Sequence, residues 1–217
     1  MFVTGTDTGV GKTYVGAAVI RGLRARGVRV LARKPVESGC DVHGGQLMPA
    51  DAAILHTAAG RIGNLMDVCP FRFRHALSPA RAAHLESRHL IIAELEQACV
   101  KGVSDDSFAW IEGAGGFYSP LAADGLNADL AARLRLPVLL VAADRLGCLN
   151  HVLLTTEAIR ARGLSLLAVV LNQIGRAATP AMNNADDLKQ RLTVPLFKFG
   201  HCSNGANLCT RIMQLID

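Results

Sequence analysis

A glycine-rich segment near the start of the chain, residues 5–13, most constrains what this sequence can fold into. It reads G-T-D-T-G-V-G-K-T, directly follows the apolar residues 1–3, and precedes a stretch with helical periodicity. Glycines adopt backbone torsions that side chains forbid, so consecutive amide N–H groups can surround an anion where a helix begins. The segment therefore predicts a strand, a phosphate-binding loop and a helix in succession.

Two side chains at the end of this segment extend the prediction to a nucleoside triphosphate. Lys12 is placed to reach terminal phosphates, and Thr13 is placed to offer a hydroxyl to Mg²⁺. The usual spacing puts the first glycine where this chain has Thr6, with Gly5 one residue earlier, so the loop is longer by one residue. The alternative is a glycine-rich turn that merely joins a strand to a helix. The loop predicts nucleotide binding, not a particular reaction.

Length and hydrophobicity indicate one domain with a full core. The chain has 217 residues, of which 50% are hydrophobic, and this size fits one domain better than two. No segment has the length and hydrophobicity of a membrane span, and the sequence starts without a charged leader or cleavage site. We expect a soluble, cytoplasmic, single-domain protein over residues 1–217, with no membrane partner.

Cysteine spacing and charge exclude several other classes. The six cysteines are scattered without a C-x-x-C pair or zinc-type spacing, so we expect no disulfide framework or structural metal, and mostly buried, reduced thiols. The net charge is +5, but aromatic residues make up only 5% of the chain and do not alternate with basic runs. These features argue against a nucleic-acid surface.

Apolar β-type runs alternate with helical stretches along the chain, which is typical of a parallel sheet wrapped by helices. We predict strands at residues 2–4, 28–33, 108–112, 138–142, 166–172 and 194–199. We predict helices at residues 12–26, 50–59, 79–87, 89–101, 128–134, 150–162 and 181–192. The fold class is α/β, with a mainly parallel sheet flanked by helices on both faces. Ligands of such sheets lie beyond the carboxyl ends of the strands.

Two predicted strands end in residues suited to phosphate chemistry. Lys34 and Pro35 leave the second strand, where a second ammonium would neutralise charge on a transferred phosphoryl group; the alternative is a solvated lysine. Glu112 leads the third strand into the glycine-rich residues 113–116, where such folds place an acidic magnesium ligand. The alternative for Glu112 is a structural carboxylate that caps the turn.

Two further segments lie at predicted helix starts. Asp51 lies near the start of the second predicted helix, where an acid commonly just favours the helix dipole. Residues 143–151 follow the fourth strand and open a helix whose free N–H groups would accept a carboxylate or phosphate. An ordinary strand-to-helix turn explains that second segment equally well.

Together these segments resemble the dethiobiotin synthetases, which are P-loop enzymes. The resemblance extends in order over nearly the whole chain and is carried by G-T-D-T-G-V-G-K-T, K-P-V-E-S-G, E-G-A-G-G, R-L-G-C-L-N-H and the V-V-L-N that ends at Asn172. It implies a homodimeric, Mg²⁺-dependent ligase of biotin biosynthesis. The implied reaction joins 7,8-diaminononanoate with CO₂ (or bicarbonate) and ATP to give dethiobiotin, ADP and phosphate, through a carbamate and a carbamic-phosphoric anhydride.

The resemblance also implies roles for individual residues. It implies catalytic roles for Lys12, Lys34 and Ser38, and magnesium ligands in Thr13, Asp51 and Glu112. It implies ATP contacts from Thr8, Gly9, Val10, Gly11, Lys12, Thr13 and Asn172, the last reading adenine. It implies substrate contacts from Ser38, Gly115, Gly147, Cys148 and Asn150, near the subunit interface. His151 is expected to be structural.

One segment departs from the family pattern, and two other classes of protein stay open. Residues 195–203 depart from the usual pattern of a glycine-containing turn and an Ile-Pro step, which leads to the hypothesis of loosened purine selectivity. A partitioning or positioning ATPase of the deviant P-loop group would carry a signature lysine where this loop has Asp7. The ligase part of a cobyrinate-type amidotransferase would need a glutaminase domain or a separate subunit.

Overall fold

The computed structural model describes residues 1–175, 181–200, 203 and 205–216. Its strands are β1 (Phe2–Gly5), β2 (Arg29–Arg33), β3 (Val36–Ser38), β4 (Asp41–His43), β5 (Gln46–Met48), β6 (Phe71–Phe73), β7 (Ser107–Gly116), β8 (Pro120–Ala122), β9 (Gly125–Leu126), β10 (Val138–Ala143), β11 (Leu166–Asn172) and β12 (Leu196–Phe199). Its helices are α1 (Lys12–Ala25), α2 (Ala50–Ala58), α3 (Leu65–Val68), α4 (Pro79–Leu85), α5 (Ile92–Val100), α6 (Asn127–Leu134), α7 (Cys148–Ala161), α8 (Asn184–Lys189) and α9 (Gly205–Met213).

The central sheet has six strands in the order β12-β11-β10-β1-β7-β2. All five pairings are parallel. Strand β10, with the sequence VLLVAA, is buried along its whole length, as expected for a strand covered by helices on both faces. The sheet therefore forms the middle layer of three.

Alternation of side chains along each strand supplies two hydrophobic cores, one on each face. Phe2 and Leu140 point into one core, and their neighbours Val3 and Leu139 point into the other. Helices α1, α2 and α9 contribute to the core that contains Val3. Helices α4 to α8 contribute to the core that contains Phe2. The prediction of helices on both faces of a mainly parallel sheet is confirmed.

All six predicted strands are present in the central sheet, with bounds that differ most from the prediction at β7. Strand β7 was expected to end at Glu112 but continues through the glycines to Gly116. It can do so because Gly5 of β1 pairs with Gly116, after a register shift that follows Val3. The smaller pairings β3-β6, β4-β5 and β8-β9 were not predicted, since their strands have only two or three residues.

The predicted helices are present, with different bounds at several ends. Helix α8 is shorter than the predicted 181–192 because the Asn183 side chain accepts from the Asp186 N–H and fixes the start at Asn184. Helix α9 was not predicted, although Leu208, Cys209 and Ile212 give it one buried face. Among the described residues, no helix is both long enough and apolar enough to cross a membrane.

The parallel strands bring the predicted site segments to one edge of the sheet. The phosphate loop follows β1, Lys34 follows β2, and Glu112 lies in β7 between those two strands. Asn172 ends β11 on the other side of β1. The candidate site therefore lies at the carboxyl ends of the strands, where open α/β sheets bind their ligands.

Candidate active site

A cleft of about 820 Å³ opens at this edge of the sheet. Its walls are the phosphate loop, the segment after β2, the start of α2, residues 76–79, and the turn that ends β7. The predicted site residues that line it are Thr8, Gly9, Gly11, Lys12, Thr13, Lys34, Ser38, Asp51 and Gly115. Glu112 lies beneath it, fully buried, and contacts two of these residues.

The phosphate loop depends on a glycine at its last turn. Gly11 has φ of 86° and caps the start of α1 without a side-chain hydrogen bond, so the first amides of the helix are available to an anion. A Cβ atom on Gly11 would lie 2.1 Å from Asn172 Nδ2. That amide donates to the Val10 carbonyl at 3.1 Å. The predicted ATP residues Val10, Gly11 and Asn172 thus meet, and the loop is held against the end of β11.

The base of the cleft contains a chain of buried polar contacts. Lys34 Nζ donates to Asp51 Oδ2 at 2.8 Å and to Glu112 Oε1 at 2.7 Å. Thr13 Oγ1 donates to the same Glu112 oxygen at 2.7 Å. Lys34 is 4% exposed and Glu112 is 0% exposed. The alternative of a solvated lysine at a strand end is therefore wrong, and the three predicted magnesium ligands lie around one ammonium.

The two lysines of the cleft titrate differently because their surroundings differ. Burial, together with the nearby charge of Lys34, lowers the pKa of Lys12 to about 8. Burial would also lower the pKa of Lys34, but the charges of Glu112 and Asp51 outweigh it and raise that pKa well above the ordinary range. Burial opposes the ionised form of Asp51 as well, yet Lys34 holds the pKa of Asp51 below its usual value. Lys34 and Asp51 are both ionised at neutral pH.

The oxygen donors beside Lys34 fit a magnesium ion. Glu112 Oε2 is buried and has no hydrogen-bond partner, which leaves an acceptor available beneath the cleft. The Asp51 side chain is 44% exposed, and Thr13 lines the cleft with a hydroxyl. Mg²⁺ prefers such hard oxygen ligands and usually takes only one or two carboxylates. The described part of the chain contains no cluster of three or more His, Cys, Asp or Glu that is arranged to hold a metal, and this site offers two carboxylates and a hydroxyl.

Ser38 and Gly115 both line the cleft. Ser38 Oγ donates to the Leu77 carbonyl at 2.6 Å. Gly115 has φ of 73°, and a Cβ atom there would lie 2.5 Å from Ser119 Oγ. The turn therefore favours glycine at this position, and Gly115 lines the cleft.

The structure adds two buried residues that sequence reasoning missed. The Glu37 carboxylate accepts from the N–H groups of Asp51 and Ala52 at the start of α2. The Asn127 amide donates to the carbonyls of Ala114 and Gly116, both at 3.2 Å. Glu37 had a signal in the sequence, since Pro49 before α2 cannot cap a helix with its side chain. Asn127 had none, because its partners are backbone atoms.

Three predicted substrate residues lie apart from the cleft within this chain. Gly147 is the N-cap of α7 with φ of 88°, Cys148 is buried, and Asn150 is exposed. None of the three lines the cleft described above. Their neighbours Asp144 and Arg145 instead line a smaller pocket of about 210 Å³ with Thr8. The predicted contact of this helix start with substrate stays a prediction.

The chain is similar in sequence and in fold to known proteins. Residues 1–202 match the family described as AAA domain. Proteins named ATP-dependent dethiobiotin synthetase BioD from Anaeromyxobacter dehalogenans, Rhodopirellula baltica and Ruthia magnifica are 44%, 40% and 34% identical to this chain. The alignments cover 84%, 90% and 100% of this chain and 80%, 81% and 99% of those relatives.

The chain belongs to the dethiobiotin synthetase family. The family resemblance predicted from the sequence segments is therefore confirmed. The septum site-determining protein MinD from Pyrococcus horikoshii, solved with Mg-ADP, has a TM-score of 0.59 and 17% identity, over 100% of this chain and 94% of that one. At that identity the likeness concerns the fold alone, which this member of the dethiobiotin synthetase family shares with that protein.

Proposed function

We propose that this chain joins 7,8-diaminononanoate and CO₂ in an ATP-dependent ring closure that yields dethiobiotin, ADP and phosphate. The observation that carries the proposal is the pair of lysines in one cleft, Lys12 on the phosphate loop and Lys34 at its base. The family relatives carry this activity in their names. Two ammonium groups in one cleft suit a reaction whose phosphate, carbamate and anhydride species are all anionic.

The reaction needs no nucleophile from the protein. One amine of the substrate bonds to CO₂ and loses a proton, which gives a carbamate. A carbamate oxygen then bonds to the γ-phosphorus as the bond to ADP breaks. The second amine attacks the carbamoyl carbon, the phosphate leaves with its bonding pair, and the cyclic urea closes with loss of a proton. Catalysis then consists of positioning and charge neutralisation.

The residues of the cleft divide these tasks. Lys12 contacts the terminal phosphates, and Lys34 neutralises charge where the carbamate meets the γ-phosphoryl group. The backbone of the phosphate loop, with Thr8, holds the phosphates, and Ser38 with Gly115 holds the carbamate end of the substrate. Thr13, Asp51 and Glu112 would hold Mg²⁺, which supplies further neutralisation of phosphate charge when bound. Asn172 would read the adenine.

We place the substrate carboxylate at the start of α7 of a second subunit. That helix start lies outside the cleft of its own chain, and Leu146 beside it is 88% exposed. The active molecule is therefore proposed to be a homodimer whose cleft is completed by the partner's helix. Its partners are small molecules, with no nucleic acid and no membrane. The five described cysteines are unpaired thiols, which agrees with a cytoplasmic location.

The test is a mass-spectrometric assay for dethiobiotin. The purified protein is incubated with 7,8-diaminononanoate, bicarbonate and Mg-ATP, and each component is omitted in turn. We expect a product that requires all of them. ATP binding without product would disprove the proposal and favour a nucleotide switch or an amidotransferase ligase.

A further inference from the structure

Glu37 connects the two elements that bring Lys34 and Asp51 together. It lies in β3, three residues after Lys34. Its Oε1 accepts from the Asp51 N–H at 3.0 Å, and its Oε2 accepts from the Ala52 N–H at 2.9 Å. Both oxygens of one side chain are thus bonded to the first turn of α2, the helix that carries Asp51.

Helix α2 depends on this contact because its own sequence provides no cap. The N-cap residue is Pro49, and no side chain at that position bonds to the helix. The first N–H groups of a helix have no partner inside the helix, so a carboxylate from elsewhere satisfies them and also interacts favourably with the dipole. Glu37 therefore fixes both the position and the direction of the first turn.

Burying the Glu37 carboxylate costs more free energy than a helix cap alone would require. Glu37 is 7% exposed, and burial raises the pKa of Glu37, although Lys34 and the two backbone hydrogen bonds counteract that rise. An exposed Ser or Asp at the N-cap would satisfy the same helix without burying a charge. The buried cap instead attaches α2 to the segment that leaves β2, where Lys34 holds Asp51 and Glu112.

We propose that Glu37 is a positioning residue that holds the Asp51 carboxylate at the magnesium site. This inference rests on the proposed function, in which Asp51 is a magnesium ligand. Residues that orient metal ligands typically contribute about 10–100-fold to metal affinity. Loss of the cap frees the first turn of α2, and Asp51 then has to be ordered when Mg²⁺ binds.

The experiment compares two near-isosteric substitutions at helix caps. In Glu37→Gln the amide group can accept from one N–H but presents hydrogens to the other. In the control, Asp124→Asn, the same change is made at a carboxylate that accepts from Ile92 N–H at the start of α5 at 2.8 Å. Binding of a fluorescent ATP analogue is titrated with Mg²⁺ for each variant, and thermal denaturation reports folding.

We expect Glu37→Gln to raise the half-saturating Mg²⁺ concentration about 10-fold, with unchanged nucleotide affinity in the absence of Mg²⁺. Saturating Mg²⁺ should restore most of kcat. Asp124→Asn should leave the Mg²⁺ requirement unchanged, with a smaller loss of thermal stability because Asp124 is exposed and accepts from one N–H at the start of α5. An unaltered Mg²⁺ requirement in folded Glu37→Gln, or an equal rise in the control, overturns the inference.

A second variant and a readout without turnover allow the inference to be tested in every case. If Glu37→Gln does not fold, the same titration on Glu37→Asp decides, because that variant keeps the charge but withdraws the carboxylate by one methylene. The binding titration needs no turnover. If the wild-type protein makes no dethiobiotin, the proposed function is refuted, but the measured effect of Glu37 on Mg²⁺-dependent nucleotide binding still stands.

Discussion

At the scale of single residues, the site contains buried charges, each of which is stabilised by a neighbouring opposite charge. Glu112 is 0% exposed, and an isolated carboxylate at such a depth is strongly unfavourable. The Lys34 ammonium neutralises the Glu112 carboxylate at a distance of 2.7 Å, and it also forms an ion pair with Asp51. Since both partners of the Lys34–Glu112 pair are buried, removal of one leaves an unpaired charge in the core. Stability and catalysis are consequently coupled at this pair.

Substitution of Lys34 should separate binding from turnover. We expect Lys34→Met to lower kcat by about 10²–10³-fold while ATP binding is largely retained, because Lys12 and the loop amides still hold the phosphates. We also expect a loss of about 3–5 kcal/mol in the free energy of unfolding. Product analysis, calorimetric ATP titration and urea denaturation measure the three quantities.

The matched control is the double variant Lys34→Met/Glu112→Gln. It removes the buried unpaired charge, so much of the stability should return while activity stays low. Wild-type turnover in Lys34→Met would remove Lys34 from the mechanism.

The lowered pKa of Lys12 leads us to expect that ATP binding depends on pH. Its pKa is lowered to about 8 by burial and by Lys34, so the charged form of the free protein is fully present below that pH and is lost above it. Without Mg²⁺, ATP affinity should be nearly constant between about pH 7, above which the terminal phosphate of ATP is ionised, and about pH 8, and should then fall by up to about 10-fold per pH unit. Calorimetric titrations across this range test the prediction. Lys12→Arg should flatten the profile because arginine stays charged, whereas a flat wild-type profile would contradict the assignment.

At the scale of elements, the loops that follow the strands determine the position of the candidate active site. Helix α1 begins at Lys12, directly after Gly11, whose left-handed conformation turns the chain. A larger residue at position 11 would collide with Asn172. Gly27, just after the same helix, has a similar φ of 81°, but a Cβ atom there would meet nothing within 4 Å. Both glycines therefore adopt the left-handed conformation, but only Gly11 has a neighbouring side chain that a Cβ atom would meet.

This difference gives a matched pair of substitutions. Both Gly11→Ala and Gly27→Ala should lose about 1–2 kcal/mol of stability through strain in the left-handed region, and Gly11→Ala should lose more because its methyl group would collide with Asn172. Only Gly11→Ala should also lose ATP binding, since its methyl group displaces Asn172 and the loop. Urea denaturation and ATP titration measure the two effects. Equal ATP affinity in both variants would show that the contact with Asn172 is unimportant.

Most of the central sheet could be predicted from the sequence, for reasons visible in particular elements. Buried parallel strands such as β10 are continuous apolar runs, and they stand out between helical stretches. Strand β3 has three residues and depends on β6, which lies more than thirty residues later, so no local pattern indicates it. Residues 201 and 202 of the unusual 195–203 segment lie outside the described residues, and the hypothesis on purine selectivity stays a prediction.

At the scale of the whole molecule, the site could be predicted wherever a motif lies directly after a strand. Lys34 and Thr13 were found in that way, and the cleft brings them together with Asp51. Glu37 was missed because its role depends on a helix start fourteen residues later in the chain. The start of α7 lies outside its own cleft, so its proposed role requires a second copy of the chain.

The proposed dimer predicts that two inactive variants restore each other. Lys34→Met damages the cleft, and Asn150→Asp places a negative charge at the exposed start of α7, where it should repel the substrate carboxylate. Each variant alone should be nearly inactive. An equilibrated mixture should recover about a quarter of the wild-type activity, since about half of its dimers are hybrids with one intact site. Activity equal to the mere sum of the two parents would refute a site shared between subunits.

The measurement that tests the central claim most directly follows oxygen from CO₂ into phosphate. The protein is incubated briefly with 7,8-diaminononanoate, Mg-ATP and ¹⁸O-labelled CO₂, and dethiobiotin and phosphate are analysed by mass spectrometry. If a carbamate oxygen attacks the γ-phosphoryl group, each ring closure transfers an oxygen atom of the captured CO₂ to the released phosphate. We therefore predict labelled phosphate in proportion to dethiobiotin. Dethiobiotin with unlabelled phosphate would contradict the anhydride route, and the absence of dethiobiotin would contradict the function itself.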